Sequence, residues 1–183
     1  MKTEHQFAEV LRQLMTEVPL DSISVSALSD RCNVSRKTFY YHFHDLYDLL
    51  TLVFLDEKID DINKCKNITS MLKTIYNYFE KNQKFVDATL NSAGKDLLQE
   101  FIYNNCYQCM LRFVNTSTNG KTLHINDKKS IARFYALAYS NSIIYYLSSY
   151  KNRTHEGLMR CFGFLDDDVI EKSVNQILEK REK

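Results

Sequence analysis

Residues 23–50 read ISVSALSDRCNVSRKTFYYHFHDLYDLL, and the apolar spacing within them decides the fold of the N-terminal part. Val25, Leu28 and Cys32 recur at i, i+3 and i+7, on one face of a helix. Ser24 precedes that face and is placed to cap it, its hydroxyl oxygen accepting a backbone N–H that the helix leaves unpaired. Asn33 falls where this helix must end, and Asn is one of the few residues that tolerates the left-handed conformation of a sharp turn. Val34 can tuck under the turn, and Ser35 caps a second, short helix. Only Phe39 and Phe43, four apart, can anchor that helix to a core. Arg36, Lys37, Thr38, Tyr40, Tyr41 and His42 are left for its surface. Asp45 caps a third helix, apolar at Leu46, Leu49, Leu50, Val53 and Phe54.

Upstream, Phe7, Val10, Leu11, Leu14 and Met15 form the stripe of an amphipathic helix that ends before Pro19, the only proline. Its stripe covers the following helices and makes a three-helix head over 1–50. The helix from Asp45 is expected to run on to about Asn63, over 45–63, and to link head and body. The body occupies 64–183. One helix is marked by Ile68, Met71, Leu72, Ile75 and Phe79, to about Lys81. A shorter one follows with Phe85, Val86, Leu90 and Ala93, then a long one with Leu98, Phe101, Ile102, Cys109, Met110 and Phe113. Asn115 to Asn126 reads as a loop.

Residues 127–150 carry the most apolar helix. Ile131, Phe134, Tyr135, Ala138, Ser142 and Tyr145 line one face; Ala132, Ala136, Tyr139, Ile143 and Tyr146 line another. A helix apolar nearly all round is buried on several sides, here inward on the body and outward on a second subunit. A mixed connector with a short helix near Glu156 to Phe162 leads to Asp166, Asp167 and Asp168, which favour a helix start. The last helix, over about 167–181, is apolar at Val169, Ile170, Val174, Ile177 and Leu178.

Two short helices, a tight turn and a cationic second helix form a helix-turn-helix, whose second helix enters the DNA major groove. From about Phe7 to Leu50, through I-S-V, the V-S before the second helix, T-F-Y-Y-H-F and the leucines that follow, the chain resembles the DNA-binding domain of the TetR family of bacterial transcription regulators. The string T-F-Y-Y-H-F-x-D-x-Y-D-L-L is similar to a subgroup that includes activators of dihydroxyacetone kinase operons, where a kinase-like protein is the partner. The resemblance implies an all-α protein with an N-terminal helix-turn-helix head and a C-terminal helical bundle for dimerisation and effector sensing. It implies a cytoplasmic homodimer, paired through the helices at 127–150 and 167–181, on a near-palindromic operator. Two departures stand out: Asn33 where the family usually has Gly, and Leu46 where most members place a Lys that contacts a phosphate.

The chemistry of the second helix fits that role. Arg36 can donate two hydrogen bonds to guanine, Lys37 can act similarly, and Thr38 can touch a thymine methyl. By position in the family pattern, Ser26 also faces base edges, and Tyr40 matches a phosphate-contacting Tyr. Ser24, Ser35, Tyr41 and His42 are further phosphate candidates. The alternative is a solvated helix face. Residues 1–50 hold five Lys/Arg against seven Asp/Glu, a net −2, so the basic footprint of a DNA binder is missing. Charge alone would not point to DNA.

The chain has 183 residues, 44% apolar and 26% charged, which is ordinary for a globular protein with a proper core. No apolar run approaches the roughly 18 residues of a membrane span. Twelve Tyr and eleven Phe without Trp is a heavy aromatic load. Tyr76, Phe79, Phe101, Tyr103, Tyr107, Phe113, Phe134, Tyr135 and Tyr139 are candidates to line an effector pocket, against the plainer reading of core and interface. The effector is a small molecule or a protein. Five cysteines, an odd number mostly on apolar faces, read as reduced thiols. Cys106 and Cys109 form C-x-x-C, with Cys65, Cys161 and His124 elsewhere; a structural zinc needs four ligands in paired spacing, so no metal or other cofactor is expected. A cysteine-based redox or metal sensor remains the alternative. No phosphate-binding Gly-rich loop, G-x-S-x-G or H-E-x-x-H is present, so no enzyme is expected.

Overall fold

The computed structural model describes residues 2–117 and 123–181. Within them the chain is all-helical, with ten α-helices: α1 (Lys2–Leu14), α2 (Val25–Arg31), α3 (Arg36–His42), α4 (Leu46–Asp56), α5 (Ile68–Lys81), α6 (Gln83–Leu90), α7 (Lys95–Ser117), α8 (Ile125–Ser149), α9 (His155–Arg160) and α10 (Val169–Arg181). None of the described helices is long and apolar enough to cross a membrane. The chain divides into two compact units. The first holds the chain up to Lys58 and then Phe79–Phe101; the second holds Ile59–Tyr78 and the chain from Ile102 onward.

The first unit is built on Phe7 of α1. Its ring meets Phe39 edge-on at 5.4 Å and Phe43 at 6.1 Å, and Phe7 and Phe39 are fully buried. Such aromatic contacts add about 0.5–1.5 kcal/mol beyond area burial. Leu11, Leu28, Leu49 and Leu50 close the core around them with no exposure. The turn between α2 and α3 is a Schellman motif. Asn33 takes φ 54°, the N–H of Val34 donates to Ser29 O at 3.1 Å, and that of Asn33 donates to Asp30 O at 3.1 Å. These bonds use carbonyls that the end of α2 leaves without partners.

The linking helix expected over 45–63 stops at Asp56. Glu57 is extended at the helix end, and its carboxylate is taken by the Arg12 guanidinium at 2.9 and 3.1 Å. Arg12 also donates to Asn82 Oδ1 at 2.8 Å and lies 4.6 Å over the Phe85 ring. One side chain of α1 thus fixes the end of α4 and the start of α6. The backbone then passes Asp61 at φ 61° into a short 3-10 turn, Ile62–Lys64. The loop expected over Asn115–Asn126 is also shorter, because α7 runs to Ser117 and α8 starts at Ile125; the rest of that expectation, 118–122, lies outside the described residues.

In the second unit α8 is two-faced. Ala132, Ala136, Tyr139, Ile143 and Tyr146 are buried, while Phe134, Leu137 and Tyr145 are exposed. Tyr135 hydrogen-bonds Ser173 of α10 at 2.8 Å and donates to Val169 O at 3.3 Å. The Tyr146 hydroxyl bridges the residue before α9: it accepts from Thr154 N–H at 3.0 Å and donates to Thr154 O at 3.1 Å. A Cβ at Gly157 would collide with that hydroxyl.

Two stability predictions follow from these turns. Asn33→Ala should cost about 1–2 kcal/mol, because Ala lacks the local hydrogen bonding that eases the left-handed conformation, whereas Asn33→Gly should be neutral or stabilising in urea unfolding. Gly157→Ala should cost about 1–3 kcal/mol through overpacking. In a Tyr146→Phe background the same change should cost less; additive losses in the double-mutant cycle would mean that the hydroxyl is not what excludes the methyl.

Candidate nucleic-acid interface

Helix α3 is short, and its position is set at both ends. Ser35 Oγ accepts the Thr38 N–H at 3.2 Å and caps its start. Phe39 and Phe43, one turn apart, hold it to the core. Four of the remaining side chains, Arg36, Lys37, Tyr40 and Tyr41, face outward. Tyr40 is 53% exposed and Tyr41 84%. Arg36 and Lys37 are exposed, with no acidic partner among the described residues. Thr38 is half-buried, its hydroxyl 3.0 Å from Ser35 Oγ. Before α2, Ser24 Oγ accepts the Ala27 N–H at 3.1 Å and serves as its cap, and Ser26 in the first turn of α2 is half-buried. A hydroxyl that caps through its oxygen still has its proton to donate.

His42 differs from the other surface candidates. Its Nδ1 lies 3.2 Å from Glu4 Oε1 on α1, and its side chain is only 19% exposed. The ring also meets Tyr41 edge-on at 5.0 Å. His42 therefore ties α3 to α1 and supports the exposed Tyr41 ring. Nothing local in the sequence marks Glu4 as its partner, because the two are 38 residues apart.

Two cations of the head, Arg31 and Arg12, are committed to carboxylates. Arg31 forks onto Glu17 at 2.7 and 3.0 Å, and this bonding holds the Glu17 carboxyl below its ordinary range. Arg12 is held by Glu57. The start of α4 carries carboxylates: Asp45 Oδ1 accepts the N–H groups of Tyr47 and Asp48, and Asp48 accepts from His44 N–H at 3.1 Å. Leu46 is half-buried there and offers no charge. The Tyr47 phenol is pushed up by burial and by Asp21 and Asp45, with the Ala93 N–H opposing. Unpaired positive charge on this face therefore concentrates on Arg36 and Lys37.

The aromatic residues expected to share one pocket fall in both units. Phe79 and Phe101 belong to the first, where Phe101 packs on Phe54 at 5.7 Å. Tyr76, Tyr103, Tyr107, Phe113, Phe134, Tyr135 and Tyr139 belong to the second. Phe134 is a correction: it is 68% exposed on the outward face of α8 and lines no interior of its unit. Tyr103 and Tyr107 stack on each other at 6.0 Å, and Tyr76 donates to Arg153 O. Tyr139 is fully buried against Phe162 at 4.9 Å, and its hydroxyl has no hydrogen-bond partner among the described residues. Among the described residues no group of three or more His, Cys, Asp or Glu side chains is placed to hold a metal ion.

Residues 9–52 match the family model described as bacterial regulatory proteins, tetR family. Residues 66–163 match a model described as a transcriptional regulator C-terminal region. No curated protein matches. A solved structure titled dihydroxyacetone kinase operon activator DhaS is similar over 97% of this chain and 95% of its own, at 18% identity and a TM-score of 0.54, which is a likeness of fold. With a regulator head and a regulator body matched in order along one all-helical chain, the protein belongs to the TetR family of bacterial transcriptional regulators.

Proposed function

We propose that the protein is a cytoplasmic homodimer that binds a near-palindromic operator and is controlled by an effector in its C-terminal part. The observation that carries the reading is the outward face of α3, where two free cations and two exposed tyrosines stand on a helix fixed by Phe39 and Phe43. Adjacent exposed tyrosines beside unpaired cations suit a negatively charged partner surface such as DNA. Arg36, Lys37, Thr38 and Ser26 face base edges. Tyr40, Tyr41, Ser24 and Ser35 donate to phosphates, with His42 supporting them. The head over 1–50 reads DNA and the remainder dimerises and senses.

The dimer reading is supported by α8. Phe134, Leu137 and Tyr145 are exposed on it at helical spacing, while its other face is fully buried. Such a stripe suits a self-complementary contact between two copies, with α10 alongside. A two-fold dimer places one α3 in each of two half-sites about 34 Å apart. An effector that binds one arrangement of the dimer better shifts operator affinity by that difference and no more.

The free cations set the salt dependence. Two on each α3 make four per dimer, and a slope of log K against log salt of about −4 is expected, shallow for a regulator. A slope steeper than about −7 would mean that other cations carry the contact. The variants separate the roles. Tyr40→Phe should weaken binding by about 1 kcal/mol on every sequence, whereas Arg36→Ala should cost about 1–3 kcal/mol and erase preference at one base position. Equal, sequence-independent losses from both would contradict the assignment.

A further inference from the structure

Cys106, Cys109 and Arg112 recur every three residues along α7, so they share one face of it. Within the second unit that face meets the 3-10 turn Ile62–Lys64. Three groups converge on a single acceptor, the carbonyl oxygen of Ile62: Arg112 Nη2 donates to it at 2.8 Å, Cys109 Sγ at 3.6 Å, and the Cys65 backbone N–H at 3.4 Å. Arg112 Nη2 also lies 3.3 Å from Cys109 Sγ, and Nη1 donates to Asn63 Oδ1 at 3.3 Å. The Cys109 sulfur and the Cys65 backbone thus meet at one carbonyl with a guanidinium beside them, and Cys65 is near enough to act on the Cys109 thiol.

The two thiols differ in access. Cys109 is fully buried, whereas Cys65 is half-exposed and stands between Lys64 and Lys66. The Cys65 sulfur hydrogen-bonds to Thr74 Oγ1 at 3.4 Å and to Asp61 O at 3.8 Å. Burial pushes the Cys109 thiol up, and the Arg112 charge and hydrogen bond oppose that. Cys106, one turn away, is fully buried without such a cation, and burial raises it further. An accessible sulfur beside a buried one with a cation is the arrangement of an attacking and a resolving thiol.

We propose that Cys65 and Cys109 are a modification site for peroxide-class oxidants, closing to an intramolecular disulfide. The Cys65 thiolate attacks one peroxide oxygen, the O–O bond breaks, and the hydroxide released takes up a proton to leave as water. Cys65 is then a sulfenic acid. The Cys109 sulfur attacks the Cys65 sulfur, the S–S bond forms, and the sulfenic oxygen leaves as a second water. Two thiols have then given two electrons and two protons to one peroxide. The bond would staple the turn Ile62–Lys64 to α7, in the segment just after the chain passes from the first unit to the second at Lys58–Ile59.

The test is thiol mapping of the full-length native protein after hydrogen peroxide, followed by alkylation, digestion and mass spectrometry. Cleavage after Tyr107 separates Cys106 from Cys109, so the partner is read directly in the unmutated protein. The expected result is loss of two of the five thiols, with Cys65 linked to Cys109, reversed by dithiothreitol. Cys65→Ser should abolish the loss, and Cys106→Ser should leave it intact. Recovery of Cys65 as a sulfinic acid, a link from Cys65 to any other cysteine, or retention of all five thiols at peroxide levels that oxidise free glutathione would overturn the proposal.

Discussion

A helix of seven residues cannot hold itself up in water, so the outward face of α3 depends on Phe39 and Phe43 being buried against Phe7. That packing in turn depends on the chain reversing sharply between α2 and α3. Asn33 in the left-handed region makes the reversal, and the Val34 and Asn33 N–H groups lock it. With the two rings inside, Arg36, Lys37, Tyr40 and Tyr41 have nowhere to go but outward. The same three rings therefore determine both the fold of the head and the outward face of α3.

Much of the head was readable from local pattern. The caps at Ser24, Ser35 and Asp45 each receive the backbone N–H groups that their positions imply. Of the two faces expected on α8, one is buried, and the other is open at Phe134, Ala138 and Tyr145 but buried at Ile131. What escaped depends on contacts far apart in sequence. The end of α4 is set by Arg12 reaching Glu57, 45 residues away, and no periodicity reports that. Phe79 and Phe101 have the spacing of body helices yet belong to the first unit. Phe134 is apolar and sits on a helix, but spacing alone does not say which apolar face meets the core and which stays open.

Charge explains why composition pointed away from nucleic acid. Arg31 and Arg12 are absorbed by Glu17 and Glu57, and Asp45 and Asp48 serve the start of α4 rather than a partner. The acids of the head are largely structural, spent on caps and ties between helices, so the net charge says little about the binding face. On the proposed reading, recognition rests on a few hydrogen-bonding side chains in fixed places. This favours contacts that discriminate between sequences over diffuse attraction to the phosphate backbone.

Selection of binding sites from random duplex DNA at moderate salt tests this most directly. If the face of α3 reads bases in a two-fold dimer, the retained pool should converge on a near-palindrome with half-sites about one helical turn apart. Retention that is blind to sequence and vanishes with added salt would contradict the account, and so would the absence of any retention.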